Sequence, residues 1–334
     1  MSKIVLACLA ASLLLLAAVA SAAPITRSYG PFDAIFYNNG DGDGINTGMQ
    51  NWSESEMSDI GYCISTWDSL LGNVPGRQIR LHLFWYEFGA NGILGGSYSP
   101  TNGAGSTGWT YGEHIWRDSA NYDGRWDGFD TFIQYDITAA GFSWNIGSGN
   151  PLSNQIDFRS VVTHEIGHSI GFYDSYDPNY DDWGNAWGTE SNPYDWAGYQ
   201  GLSTWDQNLI DSAGNRPSNG GYGTPGNFNE RDNPVYWRGT NANTYYGGPV
   251  PIYAPSTYQG GSSLSHVDET ALPNALMSPY VSLGQSVRAP TGVEWEMMQD
   301  MGWDVVLVPE PSSLLALGGG LIGMIGFALR RRRS

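Results

Sequence analysis

The run His164-Glu165-Ile166-Gly167-His168, continued as Ser169-Ile170-Gly171-Phe172, places two metal-ligating imidazoles and a carboxylate within five residues. On a helix, residues four apart share a face, so both imidazoles can reach one zinc ion at about 2.0–2.1 Å. Glu165 falls one step round the helix, where its carboxylate can hold and deprotonate a water on the metal, the arrangement of a zinc peptidase. The flanks supply a helix to carry these groups. Asp157 stands as an N-cap, Phe158, Val161, Val162, Ile166 and Ile170 repeat on a core-facing side, and Gly171 gives a C-terminal stop.

Two ligands are one too few, because a catalytic zinc takes three from protein and leaves a fourth position for water. Asp174 completes the spacing His-Glu-x-x-His-x-x-Gly-x-x-Asp, while His266 lies far downstream in Ser265-His266-Val267-Asp268-Glu269, eleven residues before Met277. Spacing alone leaves both open. Met277 sits in Ala275-Leu276-Met277-Ser278-Pro279, which is similar to the Met-turn that passes beneath the zinc in metzincins. At these residues the chain resembles the leishmanolysin-like metzincins, closely over 157–173 and 265–280 and loosely over about 30–305. In that family an insertion follows the Gly-Phe after the second His, and the third His arrives late, in a His-Trp-x-Glu-like segment shortly before the Met-turn. The resemblance implies His164, His168 and His266 as Zn²⁺ ligands, with Asp174 the alternative for the third, Glu165 as base and Met277 as the Met-turn residue. It also implies a metalloendopeptidase whose protein or peptide substrate lies extended along an edge strand, expected here within 89–115. The chain departs from the family at Val267, where Trp is usual, and in lacking the disulfides of eukaryotic members.

The remaining elements must position these residues. Residues 32–38 read as a first strand, and Ser53 with Glu56 makes a capping box for a helix over about 53–71 with Ile60, Cys63, Ile64, Trp67 and Leu71 on one stripe. Cys63 is thereby a core residue. Gln78 to Phe88 alternates Ile79, Leu81, Leu83 and Trp85 against Arg80, His82, Phe84 and Tyr86, a central strand, and Thr131 to Ile137 is another. His82 and His114 read as packed or surface imidazoles. Residues 172–265 read as loops on short elements, and a short helix returns around Glu294 to Met301. The expected fold class is α+β, a metzincin-like zincin with a twisted mixed sheet packed on the active-site helix and a loop-rich C-terminal subdomain. The expected domains are 1–23, 24–308 (24–171 and 172–308, the latter with the Met-turn) and 309–334.

Residues 1–23 read as a secretory signal: Lys3, an apolar run from Ile4 to Ala20, then small residues. Cys8 leaves with it, so Cys63 has no partner for a disulfide. About 30 residues separate cleavage from the first helix, too few for a folded inhibitory propeptide. At the other end, Val308-Pro309-Glu310-Pro311, an apolar segment from Leu314 to Leu329 and Arg330 to Arg333 resemble the PEP-CTERM sorting signal of Gram-negative bacteria that make exopolysaccharide. That resemblance implies transient inner-membrane anchoring through this segment alone, tail removal by an exosortase-type enzyme and delivery to the cell surface or extracellular matrix. A permanent anchor is the plainer alternative. Residues 24–308 hold 32 Asp and Glu against 10 Arg and no Lys, a formal charge of −22 that repels nucleic acid and anionic membrane.

Two weaker features remain. Asn39-Gly40-Asp41-Gly42-Asp43-Gly44 spaces oxygen side chains as Ca²⁺ loops do, but Gln50 stands where an EF-hand needs its bidentate Glu, and an ordinary Gly-rich turn is the favoured reading. Tyr280, just past Met277, could donate to a developing oxyanion, although a packed tyrosine is favoured. The rivals to a general endopeptidase are a narrowly specific processing protease and a non-catalytic, zinc-stabilised surface or matrix protein.

Overall fold

A hairpin starts the fold: Ile25–Tyr29 (β1) and Phe32–Tyr37 (β2) pair antiparallel around Gly30, whose φ of 54° is left-handed. The structure, a computed structural model, describes residues 23–43, 46–71, 79–89, 91–98, 131–174, 176–177, 182–183, 203–217, 228 and 234–306. The hairpin's first strand is absent from the sequence reading, because its five residues declare themselves only through pairing with β2. Helix α1 (Glu54–Asp68) follows, started by the expected capping box of Ser53 and Glu56. Strands β3 (Ile79–Tyr86), β4 (Gly95–Tyr98) and β5 (Thr131–Asp136) complete a five-stranded sheet of order β1-β2-β3-β5-β4. β3 is central and parallel to both β2 and β5, and β4 is an antiparallel edge strand, inside the 89–115 window. The architecture is therefore mixed α/β around a mixed sheet.

A short parallel pair, β6 (Ser143–Asn145) and β7 (Gln155–Asp157), leads directly into helix α2 (Phe158–Ser169). α2 packs on α1 and on the sheet through β4 and β5. Its inward residues Phe158, Val162, Ile166 and Ile170 are fully buried with Trp85 and Tyr135 from the sheet. Polar contacts fix its angle: Trp67 Nε1 donates to Thr163 O at 2.9 Å, and Arg159 pairs with Asp59 at 2.7 Å. Cys63 lies in this interface as expected, and burial pushes its thiol up to about 12. His82 is also packed, with Nδ1 2.8 Å from the Tyr37 hydroxyl.

Beyond α2 come small elements: β8 (Tyr176–Asp177) with β9 (Asp182–Trp183), then β10 (Leu209–Ile210), β11 (Val235–Trp237), α3 (Thr240–Tyr246), β12 (Val250–Ile252) and α4 (Gly292–Asp300). Lacking a side-chain cap of its own, α3 receives one from Asp300 of α4, which accepts from Asn241 and Ala242 N–H. Buried apolar residues from Phe32 to Trp303 form one cluster, so the segments 24–171 and 172–306 share a core. Residues 1–22, His114 and the tail 309–334 lie outside the described residues; among those described, no helix is long and apolar enough to cross a membrane.

Asp157 is the joint between α2 and the late segment around Arg288. It caps Ser160 N–H at 3.1 Å, accepts from Ser160 Oγ and Asn145, and pairs with Arg288, which also reaches the carbonyls of Ser148 and Gly149. Burial pushes the Asp157 carboxyl up, but Arg288, Ser160 and Asn145 together outweigh it and hold the carboxyl below its usual range. Because the folded value is depressed, the stabilisation is present above the unfolded carboxylate range and is lost as pH falls through the folded value. Asp157→Ala should cost about 3 kcal/mol at pH 7, measured by urea unfolding, with the gap from wild type closing in acid; a loss below about 0.5 kcal/mol, the size of an ordinary surface change, would contradict this role.

Candidate metal centre

Helix α2 ends in a Schellman turn: Phe172 N–H bonds Gly167 O at 3.2 Å and Gly171 N–H bonds His168 O at 3.4 Å, with Gly171 at φ 141°. That reversal brings the Phe172 carbonyl back to His168, whose Nδ1 donates to it at 2.5 Å. His164, one turn earlier, donates from Nδ1 to Leu276 O at 2.7 Å. His266 follows β12, on a segment held beside it by Tyr253 N–H to His266 O at 2.9 Å, and its Nδ1 donates to Ser262 O at 2.8 Å. A carbonyl only accepts, so each Nδ1 carries the proton and each Nε2 is left with a lone pair.

The three Nε2 atoms meet. They lie 2.9 Å (His164–His168), 3.1 Å (His168–His266) and 3.2 Å (His164–His266) apart. Among the described residues this is the group of ligating side chains that converges; Asp174 lines the same cleft outside it. Burial lowers His164 to about 4; burial with His164 beside it lowers His168 to about 3, and His266 is driven well below its usual value by burial and by both neighbours. Three neutral imidazoles with lone pairs aimed at one point repel one another unless a cation lies between them. Three imidazole nitrogens with one open side are a donor set that zinc takes, so the residues fit the metal.

Glu165 lies beside this cluster, 5 % exposed, with Oε2 buried and unpartnered. Burial alone pushes its carboxyl from 4.5 to about 8. Gly95 of the edge strand makes room for it, since a Cβ there would stand 2.9 Å from Glu165 Oε1. Met277, fully buried, passes under α2: a Cβ on Gly167 would meet its sulfur at 2.6 Å. The cleft above, about 580 Å³, is bordered by β4 residues on one wall and by Leu276, Val281 and Val287 on the other. Tyr280 reaches this cleft 55 % exposed, against the expectation of a packed ring: its hydroxyl is tied to Tyr253 and Gln259, and its ring meets that of Tyr253 edge-on with centres 5.9 Å apart.

The acceptors Phe172, Leu276 and Ser262 escape a sequence reading because a backbone carbonyl has no residue signature. Gly95 escapes it too, although a glycine within a strand marks a close approach. In the Asn39–Gly44 stretch, Asp41 and Asp43 accept from the N–H groups of Asn38 and Asn46, the common use of aspartate in a Gly-rich turn.

A family model for the PEP-CTERM protein-sorting motif matches residues 307–333. No curated protein and no solved structure matches the chain. The motif marks an exported protein sorted or anchored at the cell envelope of a Gram-negative bacterium, and it implies processing by an exosortase-type enzyme.

Glu165 has a signature that needs no metal. Its carboxyl titrates at about 8 folded against 4.5 unfolded, so between those values the folded state holds more protons and stability falls as pH rises. Glu165→Gln abolishes that loss. In chelator-treated protein, the thermal midpoint of the variant should exceed the wild type by an amount that grows several degrees from pH 5 to pH 8; a pH-independent difference would contradict the buried, unpartnered acid.

Proposed function

We propose that the chain is an exported zinc-dependent metalloendopeptidase, with His164, His168 and His266 holding the ion and Glu165 acting as general base. The observation that carries this reading is the set of three Nε2 lone pairs 2.9–3.2 Å apart, each fixed by a backbone carbonyl at Nδ1, beside a buried carboxylate with an unpartnered oxygen. Zinc in such a site supplies Lewis acidity, polarising a carbonyl and bringing the pKa of water toward 7. The chain's residues supply the rest. Glu165 takes the proton of the attacking water and delivers it to the leaving amine. β4 offers a sheet edge along the cleft to which an extended peptide can add as a strand. A purely structural zinc would be closed by four protein ligands, and a buried unpaired carboxylate would only destabilise such a site, which favours catalysis over the matrix-protein alternative.

The test is a peptide-library digest by the purified protein loaded with zinc, read by mass spectrometry. Glu165→Ala should keep its zinc and lose at least ~10²-fold in turnover, whereas His266→Ala should lose zinc and Asp174→Ala should retain it. Full proteolysis by Glu165→Ala sinks the mechanism, and zinc loss confined to Asp174→Ala moves the third ligand.

The sorting motif completes the proposal: the tail from Pro309 is removed on export and the enzyme acts at the cell surface or in the extracellular matrix. Intact-mass analysis of surface material should find a chain ending near Pro309-Glu310-Pro311; Arg330 to Arg333 still attached would instead mean a permanent anchor.

A further inference from the structure

Glu294 lies on α4, far along the chain from the paired histidines of α2, yet it ends a path of hydrogen bonds that begins at one of them. Its side chain is fully buried. Oε2 accepts the N–H and hydroxyl of Thr291 at 2.6 and 2.8 Å, which closes the capping box of α4. That cap needs one oxygen only. Oε1 points the other way and accepts the N–H of Met277 at 2.5 Å. This N–H belongs to the same peptide group as the Leu276 carbonyl, the acceptor of His164 Nδ1–H at 2.7 Å. The Met277 carbonyl in turn accepts from Val267 N–H at 2.9 Å, next to His266.

We propose that Glu294 is a positioning residue for the metal, acting on His164 through the Leu276–Met277 peptide. A carboxylate that draws on a peptide N–H leaves more negative charge on that peptide's oxygen, because hydrogen-bonded groups in series polarise one another. The oxygen then holds the His164 Nδ1 proton more strongly, and electron density moves to Nε2, the atom that faces the ion. Carboxylates bonded directly to ligand histidines have this effect on metal affinity; here one peptide group is inserted between the two. The same contact locks the turn that also carries the acceptor for Val267, so the orientation of His266 depends on it as well. The inference rests on the reading that the three imidazoles hold a metal.

The experiment compares wild type, Glu294→Gln, Glu294→Asp and Thr291→Val as purified protein, by Zn²⁺ competition against a chelator and by the visible spectrum of the Co²⁺-loaded form, with thermal midpoints of the metal-free proteins alongside. Glu294→Gln should weaken zinc binding about tenfold and shift the cobalt bands. Glu294→Asp, which keeps the charge on a shorter arm, should weaken it less. Thr291→Val loosens the start of α4 without touching the Met277 contact, so it should lower the midpoint while keeping affinity and bands. Wild-type affinity and bands in folded Glu294→Gln, or in Glu294→Asp should the Gln variant not fold, overturn the inference, as does an equal fall in Thr291→Val. Those outcomes leave the metal reading standing. A wild type that takes up neither ion overturns that reading and this inference with it.

Discussion

Every imidazole of the cluster is fixed by the same device: Nδ1–H given to a backbone carbonyl, so that Nε2 faces its two counterparts with a lone pair. The hydrogen bond at one ring nitrogen sets which nitrogen keeps the lone pair, so three such bonds give all three rings the same tautomer. The three carbonyls come from three constructions. Phe172 is delivered by the Schellman turn that stops α2, Leu276 by the turn under that helix, and Ser262 by the tight turn after β12. Much of the fold serves to hold these carbonyls in place, and the buried sulfur of Met277 against Gly167 keeps the second of them at the right distance from the helix.

Buried carboxylates divide into two kinds. Asp157, Asp59 and Glu294 are each surrounded by donors and join parts of the chain that lie far apart in sequence. Glu165 is not so provided; one of its oxygens is buried without a donor, and burial alone raises its carboxyl to about 8. Among the described residues Glu269 also keeps a buried oxygen without a donor, but Glu165 is the one that stands beside three convergent lone pairs.

Among the described residues no disulfide staples the fold, and Cys63 is buried as a free thiol. Aromatic packing takes that role. Trp85, Tyr135 and Trp144 surround Phe158 at the start of α2, with ring centres 5.4 to 5.5 Å from it, and Phe172, Trp205 and Trp237 pack in series at its far end. Both ends of the helix are thus clamped by rings, whose burial is among the larger stabilising contributions a side chain can make. Residues 24–308 carry a formal charge of −22, which repels anionic surfaces, and the sorting motif at 307–333 marks the protein as exported to the cell envelope.

What the sequence determined is what depends on near neighbours. The Ser53–Glu56 box and the stripe from Ile60 to Leu71 marked α1, alternation marked β3 as a strand of the sheet's interior, Asp157 and Gly171 bracketed α2, and the Pro-Glu-Pro, apolar, arginine order marked the tail. Each is a periodicity or a cap set by backbone geometry over a few residues. The edge strand Gly95–Tyr98 was not so marked, because Gly-Gly-Ser-Tyr has no alternation and becomes a strand only by pairing with β5. Nor could spacing choose between Asp174 and His266: tertiary structure alone decided that the imidazole 98 residues from His168 joins the cluster and that the carboxylate six residues away stays outside it. The same holds for Leu276 and Glu294, which meet His164 and Met277 across the core. Helical periodicity brings i and i+4 together in any sequence that folds as a helix, whereas contacts over a hundred residues exist only once the whole chain path is fixed.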